Sequence, residues 1–320
     1  MTPVFIFSLP RSGSTLLQRM LAAHSQIDSC AEPWVLLPPL YGMRQGVFAE
    51  YSHNIASRGI RDAMESTANE DTYHRAVRAF GLSLYKEMAG NGATHFVDKT
   101  PRYHLVVDDI MRAFPDGKFI FLWRNPLAIV ASIMQTWRNG KWNLDRFGID
   151  LFEGLPNLVE ASHKSPERVH CLQYKALVQQ PEDMIQAVLS YLELPFEEHI
   201  VHEFSDVGFN GELGDPTGID QYHTVSKETT EKWKKTLRNP LRKRWMRHYL
   251  NSLGQERLSH MGYDLDTLLN DMEEVSTEMQ HVFSDFYFRM RGYLRIWLHP
   301  AIQHFSWERL RTNKRIYPLN

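Results

Sequence analysis

The beginning of the chain constrains the fold most, because a strand, a tight turn and a helix follow one another there. Residues 4–7 form an apolar run with the length of a buried strand, and residues 8–13 contain the Ser, Pro and Gly typical of a turn. A helix is predicted from Ser14 onwards, since apolar side chains recur at helical spacing as far as Leu21. The backbone N–H groups of a first helical turn have no partner inside the helix and attract anions. The sequence therefore predicts an α/β protein whose first turn binds phosphate.

The side chains of this turn suit an anion; in order they are Pro10, Arg11, Ser12, Gly13, Ser14 and Thr15. Gly13 allows close backbone approach, Arg11 carries a planar, permanent charge, and the hydroxyls donate hydrogen bonds. A nucleoside-triphosphate loop of the form GxxxxGK[ST] would need Gly at position 8 and Lys at position 14, but both are Ser here. The missing lysine argues against triphosphate chemistry. The alternative interpretation is a Ser/Thr-capped helix after an ordinary turn.

Further strands and helices alternate along the chain. Strands are predicted at residues 94–97, 118–122 and 168–172, and helices at residues 73–89 and 104–114 and from Pro126 past Ser132. This alternation predicts a mostly parallel sheet with helices on both faces. Beyond a polar loop at residues 208–218 the pattern is helical, with helices expected at residues 229–237 and 241–261. The expected division is an α/β domain over residues 1–264 and a helical C-terminal extension over residues 265–320.

Composition narrows the classes to which the protein can belong. The 320 residues are 43% hydrophobic and carry a net charge of −2, which is ordinary for a folded domain and gives no overall positive field for nucleic acid. Cys30 and Cys171 indicate no disulfide framework, and the histidines lack zinc-site spacing. The sequence shows neither a signal peptide nor an apolar run of the ~18 residues that cross a membrane. We therefore expect a cytoplasmic protein that needs no metal.

The first turn resembles the 5′-phosphosulfate loop of the sulfotransferases that use 3′-phosphoadenosine-5′-phosphosulfate (PAPS). Residues 10–17, Pro-Arg-Ser-Gly-Ser-Thr-Leu-Leu, are closest to the PRSGTT form of the tyrosylprotein and bacterial sulfotransferases. The resemblance implies a P-loop-like α/β sandwich that grips the 5′ phosphosulfate, without a Walker lysine, through Arg11, Ser12, Gly13, Ser14 and Thr15. It covers roughly residues 4–233, and residues 36–70 and those beyond 264 match nothing in it.

A second motif follows the strand predicted at residues 118–122. Arg124 comes at the end of the strand, and Ser132 lies about two turns along the next helix. An arginine there can donate paired hydrogen bonds to a phosphate, but the two side chains need a ligand or a bend in the chain to converge. The resemblance implies that both hold the 3′-phosphate, which distinguishes PAPS from ordinary adenine nucleotides. The alternative is a surface arginine and a mid-helix serine.

Glu32 and Lys99 are the candidates for the chemistry. Sulfuryl transfer needs in-line positioning, stabilisation of charge on the moving oxygens, and a base for the acceptor proton. Glu32 lies in a Cys-Ala-Glu setting that resembles the tyrosylprotein branch, in which the matching Glu is the general base. Lys99 follows a predicted strand, and the resemblance implies that it stabilises the bridging oxygen as 3′-phosphoadenosine-5′-phosphate (PAP) leaves. The alternatives are a glutamate at a helix start and a solvated lysine paired with Asp98.

The segment after Lys99 departs from one branch of the family. Many cytosolic sulfotransferases have a catalytic histidine directly after Lys-Thr, but Pro101 occupies that place here, and the nearest following histidine is His104. This departure favours Glu32 as the base. His104 is a weaker candidate and is expected on a helix surface.

Four later positions complete the predicted donor pocket. Tyr174 resembles a Tyr/Glu-x-Leu segment that contacts the adenosine side, the alternative being core packing. The resemblance also places a Ser or Thr, and the lysine before Trp233, on the nucleotide or the sulfonate. The candidates are Thr224, Ser226 and Lys232, and the choice between the two hydroxyls stays open. Trp233 is expected either to stack on a base or to pack between helices.

Together these features predict a sulfotransferase that uses PAPS and acts on a hydroxyl or amine, with a carbohydrate or small metabolite favoured over a peptide tyrosine. The alternatives are an ATP-dependent phosphotransferase of the P-loop class and a non-catalytic nucleotide-binding module. Ser14 in place of lysine argues against the first, and the presence of both Glu32 and Lys99 argues against the second. The basic, aromatic-rich tail could dock on the domain, form a homodimer contact or touch a membrane, and the first two are favoured.

Overall fold

The computed structural model of the protein describes residues 1–44, 53–65, 71–209 and 233–298. Its strands are β1 Thr2–Phe7, β2 Ile27–Ser29, β3 His95–Asp98, β4 Lys118–Trp123 and β5 Val169–Gln173. They form one sheet in the order β2-β3-β1-β4-β5, and every neighbouring pair is parallel. The predicted α/β fold with a parallel central sheet is confirmed.

Helices connect and follow these strands. In chain order they are α1 Ser14–Ala22, α2 Leu37–Tyr41, α3 His53–Glu65, α4 Thr72–Met88, α5 Val107–Ala113, α6 Pro126–Arg138, α7 Leu155–Lys164, α8 Tyr174–Gln179, α9 Pro181–Tyr191, α10 Ile200–Glu203, α11 Trp233–Thr236, α12 Pro240–His260, α13 Leu265–Glu274 and α14 Val282–Leu298. Short 3-10 turns lie at Pro101–Leu105, Leu144–Phe147, Pro166–Arg168 and Phe204–Asp206, and a π-helical turn lies at Asp150–Gly154.

The sheet is covered on both faces, and the side chains of β1 show why. Val4 and Ile6 belong to one hydrophobic core, together with side chains of α1, α8 and α9. Phe5 and Phe7 point the other way, into a larger core with side chains of α4 to α7 and of α12. A strand that is apolar at every position is typical of a parallel sheet buried on both sides.

Aromatic rings of β1 and β4 form the part of the larger core that lies directly on the sheet. Phe119 of β4 stacks on Phe5 and on Phe7 of β1, with ring centroids 5.6 Å and 6.0 Å apart. Phe121 lies 5.1 Å from Phe7. Full burial of each such ring stabilises the fold by about 1.5–3 kcal/mol. This packing fixes the relative position of β1 and β4, whose ends carry the two predicted phosphate motifs.

The five strands end at the same edge of the sheet, because all of them are parallel. Each strand is followed within a few residues by one predicted site residue; in sheet order these are Glu32, Lys99, Arg11, Arg124 and Tyr174. The carboxyl edge of a parallel sheet is the usual ligand site of open α/β folds. The topology therefore gathers residues that are far apart in the sequence.

The structure differs from the sequence predictions in several elements, of which two lie next to the site. The short strand β2 was not predicted, and it adds an edge to the sheet next to β3. The helix predicted at residues 104–114 is divided into the 3-10 turn Pro101–Leu105 and α5, with Val106 between them in a non-helical conformation. Pro101 begins the 3-10 turn, as the fixed φ of proline favours at the start of a helix.

The last described helix, α14, is held against the rest of the protein by a buried ion pair. Asp285 is fully buried and accepts two hydrogen bonds from Arg242 of α12, at 2.6 Å and 2.9 Å. Asn239 donates a third, at 3.0 Å. Further along α14, a Cβ added at Gly292 would lie 2.9 Å from the Asp145 carboxylate, so the Asp145 side chain packs directly against the helix backbone there. The expected docking of this helix on the domain is thus found.

The outer face of α14 carries apolar side chains that are exposed to solvent. They are Phe283, Phe286, Tyr287, Met290, Tyr293, Leu294 and Leu298. The preceding helix, α13, differs, because its Leu268 and Met272 side chains are buried in the larger core. Over the described ranges, the helices are too short or too polar to cross a bilayer. The domain division at residue 264, and a homodimer or membrane contact through this extension, stay predictions.

Candidate active site

The turn between β1 and α1 has the backbone of an anion-binding loop. Arg11 and Gly13 both have positive φ angles, 68° and 93°, and the N–H of Ser12 donates to the carbonyl of Leu9 at 3.2 Å. Helix α1 begins at Ser14, which is buried, while Thr15 is partly exposed. The Ser12 hydroxyl is buried and has no hydrogen-bond partner among the described residues. A ligand rich in oxygen atoms would satisfy both this hydroxyl and the first-turn amides.

Gly13 is in contact with Tyr174. A Cβ added at Gly13 would lie 2.2 Å from the Tyr174 ring, far inside van der Waals contact. The close approach and the positive φ together require glycine at this position. Tyr174 therefore forms one wall of the loop, as well as lying at the end of β5.

We expect Gly13→Ala to weaken PAP binding at least tenfold. The substitution forces the Tyr174 ring away, and an alanine in the left-handed conformation costs roughly 1–2 kcal/mol. Binding is measured by calorimetry, and stability by thermal unfolding. Gly59→Ala is the matched control, because Gly59 is exposed in α3 and an added Cβ would contact nothing within 4 Å. It should leave PAP affinity unchanged, and equal effects of the two changes would contradict the predicted role of the loop.

Both predicted phosphate motifs meet at this loop. The Arg11 side chain donates from Nε to the Ser132 hydroxyl at 3.3 Å, and Arg124 donates to the Arg11 carbonyl at 2.6 Å. The Arg124 guanidinium also lies over the Tyr174 ring, 4.4 Å from its centroid. Ser132 and Arg124 thus converge through Arg11, not through a bend in the chain. Two loop residues, Arg11 and Arg124, and two helix residues, Ser132 of α6 and Tyr174 of α8, thus come together where a nucleotide phosphate could bind.

Glu32 and Lys99 form a buried ion pair. The Lys99 ammonium lies 2.6 Å from a Glu32 carboxylate oxygen, and the two side chains are 4% and 13% exposed. The alternative interpretation expected a solvated Lys99 paired with Asp98. In the structure Lys99 is buried and its ammonium pairs with Glu32. The neighbouring Cys30 thiol does not supply a nucleophile, because burial and the nearby Asp98 and Asp28 carboxylates raise its pKa to about 12.

Asp98 is a buried acid that the sequence analysis did not identify. It is fully buried and accepts hydrogen bonds from Tyr85 at 2.6 Å, Tyr103 at 2.8 Å and Thr100 at 3.3 Å. Burial raises the pKa of Asp98 to about 6, although the three hydroxyl donors and Lys99 favour the charged form. Thr100 and Tyr103 follow Asp98 closely in the chain, whereas Tyr85 comes from α4. Nothing in the local sequence distinguishes this acid from a solvated one, because its burial depends on tertiary packing.

His104 is not on a helix surface, as the sequence predicted, and the prediction is wrong. Its side chain is fully buried, and Nε2 lies 2.8 Å from a carboxylate oxygen of Asp150. Arg102 lies 3.0 Å from the same oxygen. The His104 ring also abuts Gly154, where an added Cβ would come within 2.6 Å. Its contacts are with the π-helical turn and not with Glu32 or Lys99, so the geometry does not support His104 as the base.

The remaining predicted residues are Thr224, Ser226 and Lys232, which lie outside the described residues. Trp233 is described, and it is buried in the larger core, so it packs between helices and does not stack on a base.

A pocket lies at the C-terminal end of α6. The Arg11 guanidinium lies over Trp137, which in turn stacks on Phe147. The pocket is lined by the last residue of α6, by the segment that follows it and by α14; the residues are Arg138, Trp142, Asp145, Arg146, Phe288, Arg291 and Gly292. Three guanidinium groups against one carboxylate make this pocket positively charged.

Comparison with known proteins agrees with the geometry. Residues 3–198, more than half of the chain, match the profile of the Sulfotransferase family. The nodulation protein NoeE of Sinorhizobium fredii is 28% identical over 212 residues, which cover 59% of this chain and 49% of that protein. A putative protein-tyrosine sulfotransferase of Caenorhabditis briggsae is 23% identical over 225 residues, covering 66% of this chain and 72% of that protein. The chain thus spans about half of the nodulation protein's length.

A solved structure shares the fold. The sulfotransferase domain from the curacin biosynthetic pathway superimposes with a TM-score of 0.52 at 23% sequence identity, covering 73% of this chain and 91% of that one. The family profile covers residues 3–198, which include both the first turn and the motif that follows β4. The resemblance drawn from these two motifs is therefore confirmed. The chain belongs to the Sulfotransferase family.

Proposed function

We propose that the protein transfers the sulfuryl group of PAPS to an acceptor hydroxyl or amine. The observation that carries the proposal is the meeting of the two phosphate motifs, in which Arg11 contacts both the Ser132 hydroxyl and, through its carbonyl, Arg124. Family membership supports the same activity. A donor with phosphate groups at both the 3′ and 5′ positions of one ribose needs two such motifs at one site.

The residues present fit PAPS. The first turn of α1 and the buried Ser12 hydroxyl suit the 5′ phosphosulfate. Arg124 and Ser132 suit the 3′-phosphate, because a guanidinium and a hydroxyl can donate to its oxygens together. The Tyr174 ring, covered on one side by Arg124, offers a surface near the nucleoside. Thr224, Ser226 and Lys232 are proposed as further donor contacts on the resemblance alone.

Glu32 and Lys99 carry the chemistry in this proposal. PAPS, when bound, supplies the activated sulfuryl group and departs as PAP. Glu32 accepts the acceptor proton as the new oxygen–sulfur bond forms, and Lys99 donates a hydrogen bond to the oxygen that leaves with the electrons of the broken bond. Their 2.6 Å contact holds the two groups next to each other before the acceptor binds.

The direct test is calorimetric binding of PAP, with 5′-AMP and ATP as matched controls. Tight binding of PAP with little affinity for either control is expected, because only PAP fills both phosphate positions. Preferential binding of ATP would favour a phosphotransferase instead. Absence of binding by any of the three would favour a non-catalytic module with another ligand.

The acceptor is proposed to be a carbohydrate or small metabolite, and the arginine-lined pocket favours one that carries an acidic group. Arg138 stacks on Phe288 in that pocket, so its charge is held at the rim. A screen with labelled PAPS and pairs of acceptors that differ only in a carboxylate or sulfate tests this. Faster turnover of the neutral member of each pair would contradict it. The cytoplasmic location stays a prediction. Both cysteines, Cys30 and Cys171, are free thiols.

A further inference from the structure

The segment that carries Glu32 has no regular secondary structure of its own. Between β2 and α2 the chain from Cys30 to Leu36 is neither strand nor helix. Trp34, in its middle, has a φ of 56°, in the left-handed region. A bulky residue held there costs of order 1–3 kcal/mol and persists only where its surroundings hold it. The position of Glu32 therefore depends on contacts made by its neighbours.

Hydroxyl groups on the Lys99 side of the site supply these contacts. The Trp34 N–H donates to the Thr100 hydroxyl at 3.2 Å, and the Leu36 N–H donates to the Tyr103 hydroxyl at 3.3 Å. Both hydroxyls in turn donate to Asp98, as described above. A hydroxyl has one proton, so giving it to a carboxylate leaves its lone pairs facing the amides.

We infer that Asp98 is a positioning residue for the reaction: through the hydroxyls of Thr100 and Tyr103 it holds the Cys30–Leu36 segment so that the Glu32 carboxylate meets Lys99. The inference rests on the proposed function, in which Glu32 is the base. Asp98 directly precedes Lys99 in the sequence, so the acid that holds the Glu32 segment is also next to the lysine of the ion pair. It does not touch the Glu32 side chain itself.

The burial of Asp98 supports this role. A fully buried carboxylate lowers stability unless it is well hydrogen-bonded, and replacing a buried charged group by an apolar one often costs no stability. Stability alone therefore does not explain an acid at this position. Its pKa of about 6 leaves it ionised at neutral pH, where it orients all three hydroxyls at once. Two of the three hydroxyls then hold amides of the Glu32 segment, which links the acid to the site and not only to the core.

Tyr85 and Tyr103 provide a matched pair of variants. Both rings are fully buried, and both hydroxyls donate to the same oxygen of Asp98, at 2.6 Å and 2.8 Å. Tyr103 alone also accepts from the Leu36 N–H. We expect Tyr103→Phe to lower kcat about tenfold or more while PAP affinity stays within about threefold, since the donor site is untouched. Tyr85→Phe should lose similar stability but keep kcat within about threefold of the unmodified protein.

Hydrogen exchange gives a second measurement, which does not depend on turnover. The amides of residues 34–36 should exchange faster in Tyr103→Phe than in Tyr85→Phe, because only the first change removes an acceptor from this segment. Thr100→Val should also speed exchange of the segment's amides and lower kcat, because it removes the acceptor of the Trp34 N–H. Thr100→Ser keeps the hydroxyl and should therefore retain the exchange protection and kcat of the unmodified protein. These variants also keep the test open if Asp98→Asn does not fold.

Equal loss of kcat in the two tyrosine variants, or equal exchange, would overturn the inference, because it would mean that the network acts only through stability. Failure of the proposed function looks different. In that case the unmodified protein would not bind PAP, while the exchange rates would still report whether Tyr103 holds the segment.

Discussion

Glu32→Gln should lower kcat by about a thousandfold or more while leaving PAP affinity within about threefold, since a general base contributes 10²–10⁴-fold. Glutamine has the shape of glutamate and can still accept a hydrogen bond from Lys99, so the ion pair becomes a hydrogen bond at the same place. It cannot take the acceptor proton. The donor position is formed by Arg11, Arg124 and Ser132, which are joined by hydrogen bonds of their own, whereas Glu32 is paired with Lys99.

Rapid-quench turnover with labelled PAPS and calorimetry with PAP separate the two effects. Glu193→Gln is the control, because Glu193 also pairs with a lysine, Lys118, at 2.7 Å. Lys118 begins β4, so this pair lies at the opposite edge of the sheet. The control should retain full activity. A Glu32 variant that keeps more than a tenth of the activity, or that loses PAP affinity in proportion to kcat, would show that Glu32 is not the base.

The positions of the candidate site residues could be predicted from the sequence because they depend on chain order more than on packing detail. Four of the strands can be recognised from their apolar residues. Each is followed by one candidate site residue: Arg11, Lys99, Arg124 or Tyr174. Once the strands are parallel, their ends must share one edge. The meeting of Arg11 with Ser132 and Arg124 needs little beyond this topology.

The contacts that hold these residues could not be predicted in the same way. Strand β2 has three residues, too few for an alternating pattern to distinguish it from a loop. Asp98 and His104 look like ordinary polar residues in sequence, yet both are buried, and each has a partner from another element of the fold. Asp98 meets Tyr85, and His104 meets Asp150, through tertiary packing that no local pattern records.

Arg124→Ala should reduce the preference for PAP over 5′-AMP by about 30- to 700-fold. The two nucleotides differ only in the 3′-phosphate, so the ratio of their affinities isolates contacts to that group. Losing one charge-assisted clamp in a largely buried site costs about 2–4 kcal/mol, which gives this range at a factor of ten per 1.4 kcal/mol. Arg124 also donates to the Arg11 carbonyl and covers Tyr174, so the affinity for 5′-AMP itself should fall less, through loosening of the loop.

Calorimetry with both nucleotides on the Arg124 variant measures the ratio directly, and Arg112→Ala is the control. Arg112 lies on α5, is about half exposed and pairs with Asp71. It precedes the amino end of β4, whereas Arg124 follows the carboxyl end of that strand. Its removal should change neither affinity. If the Arg124 variant lost affinity for PAP and 5′-AMP by the same factor, the guanidinium would be supporting the loop alone, and the 3′-phosphate would have to be held elsewhere. A selective loss for PAP, with 5′-AMP nearly unaffected, would assign the 3′-phosphate to the end of β4 and leave Ser132 as its natural second donor.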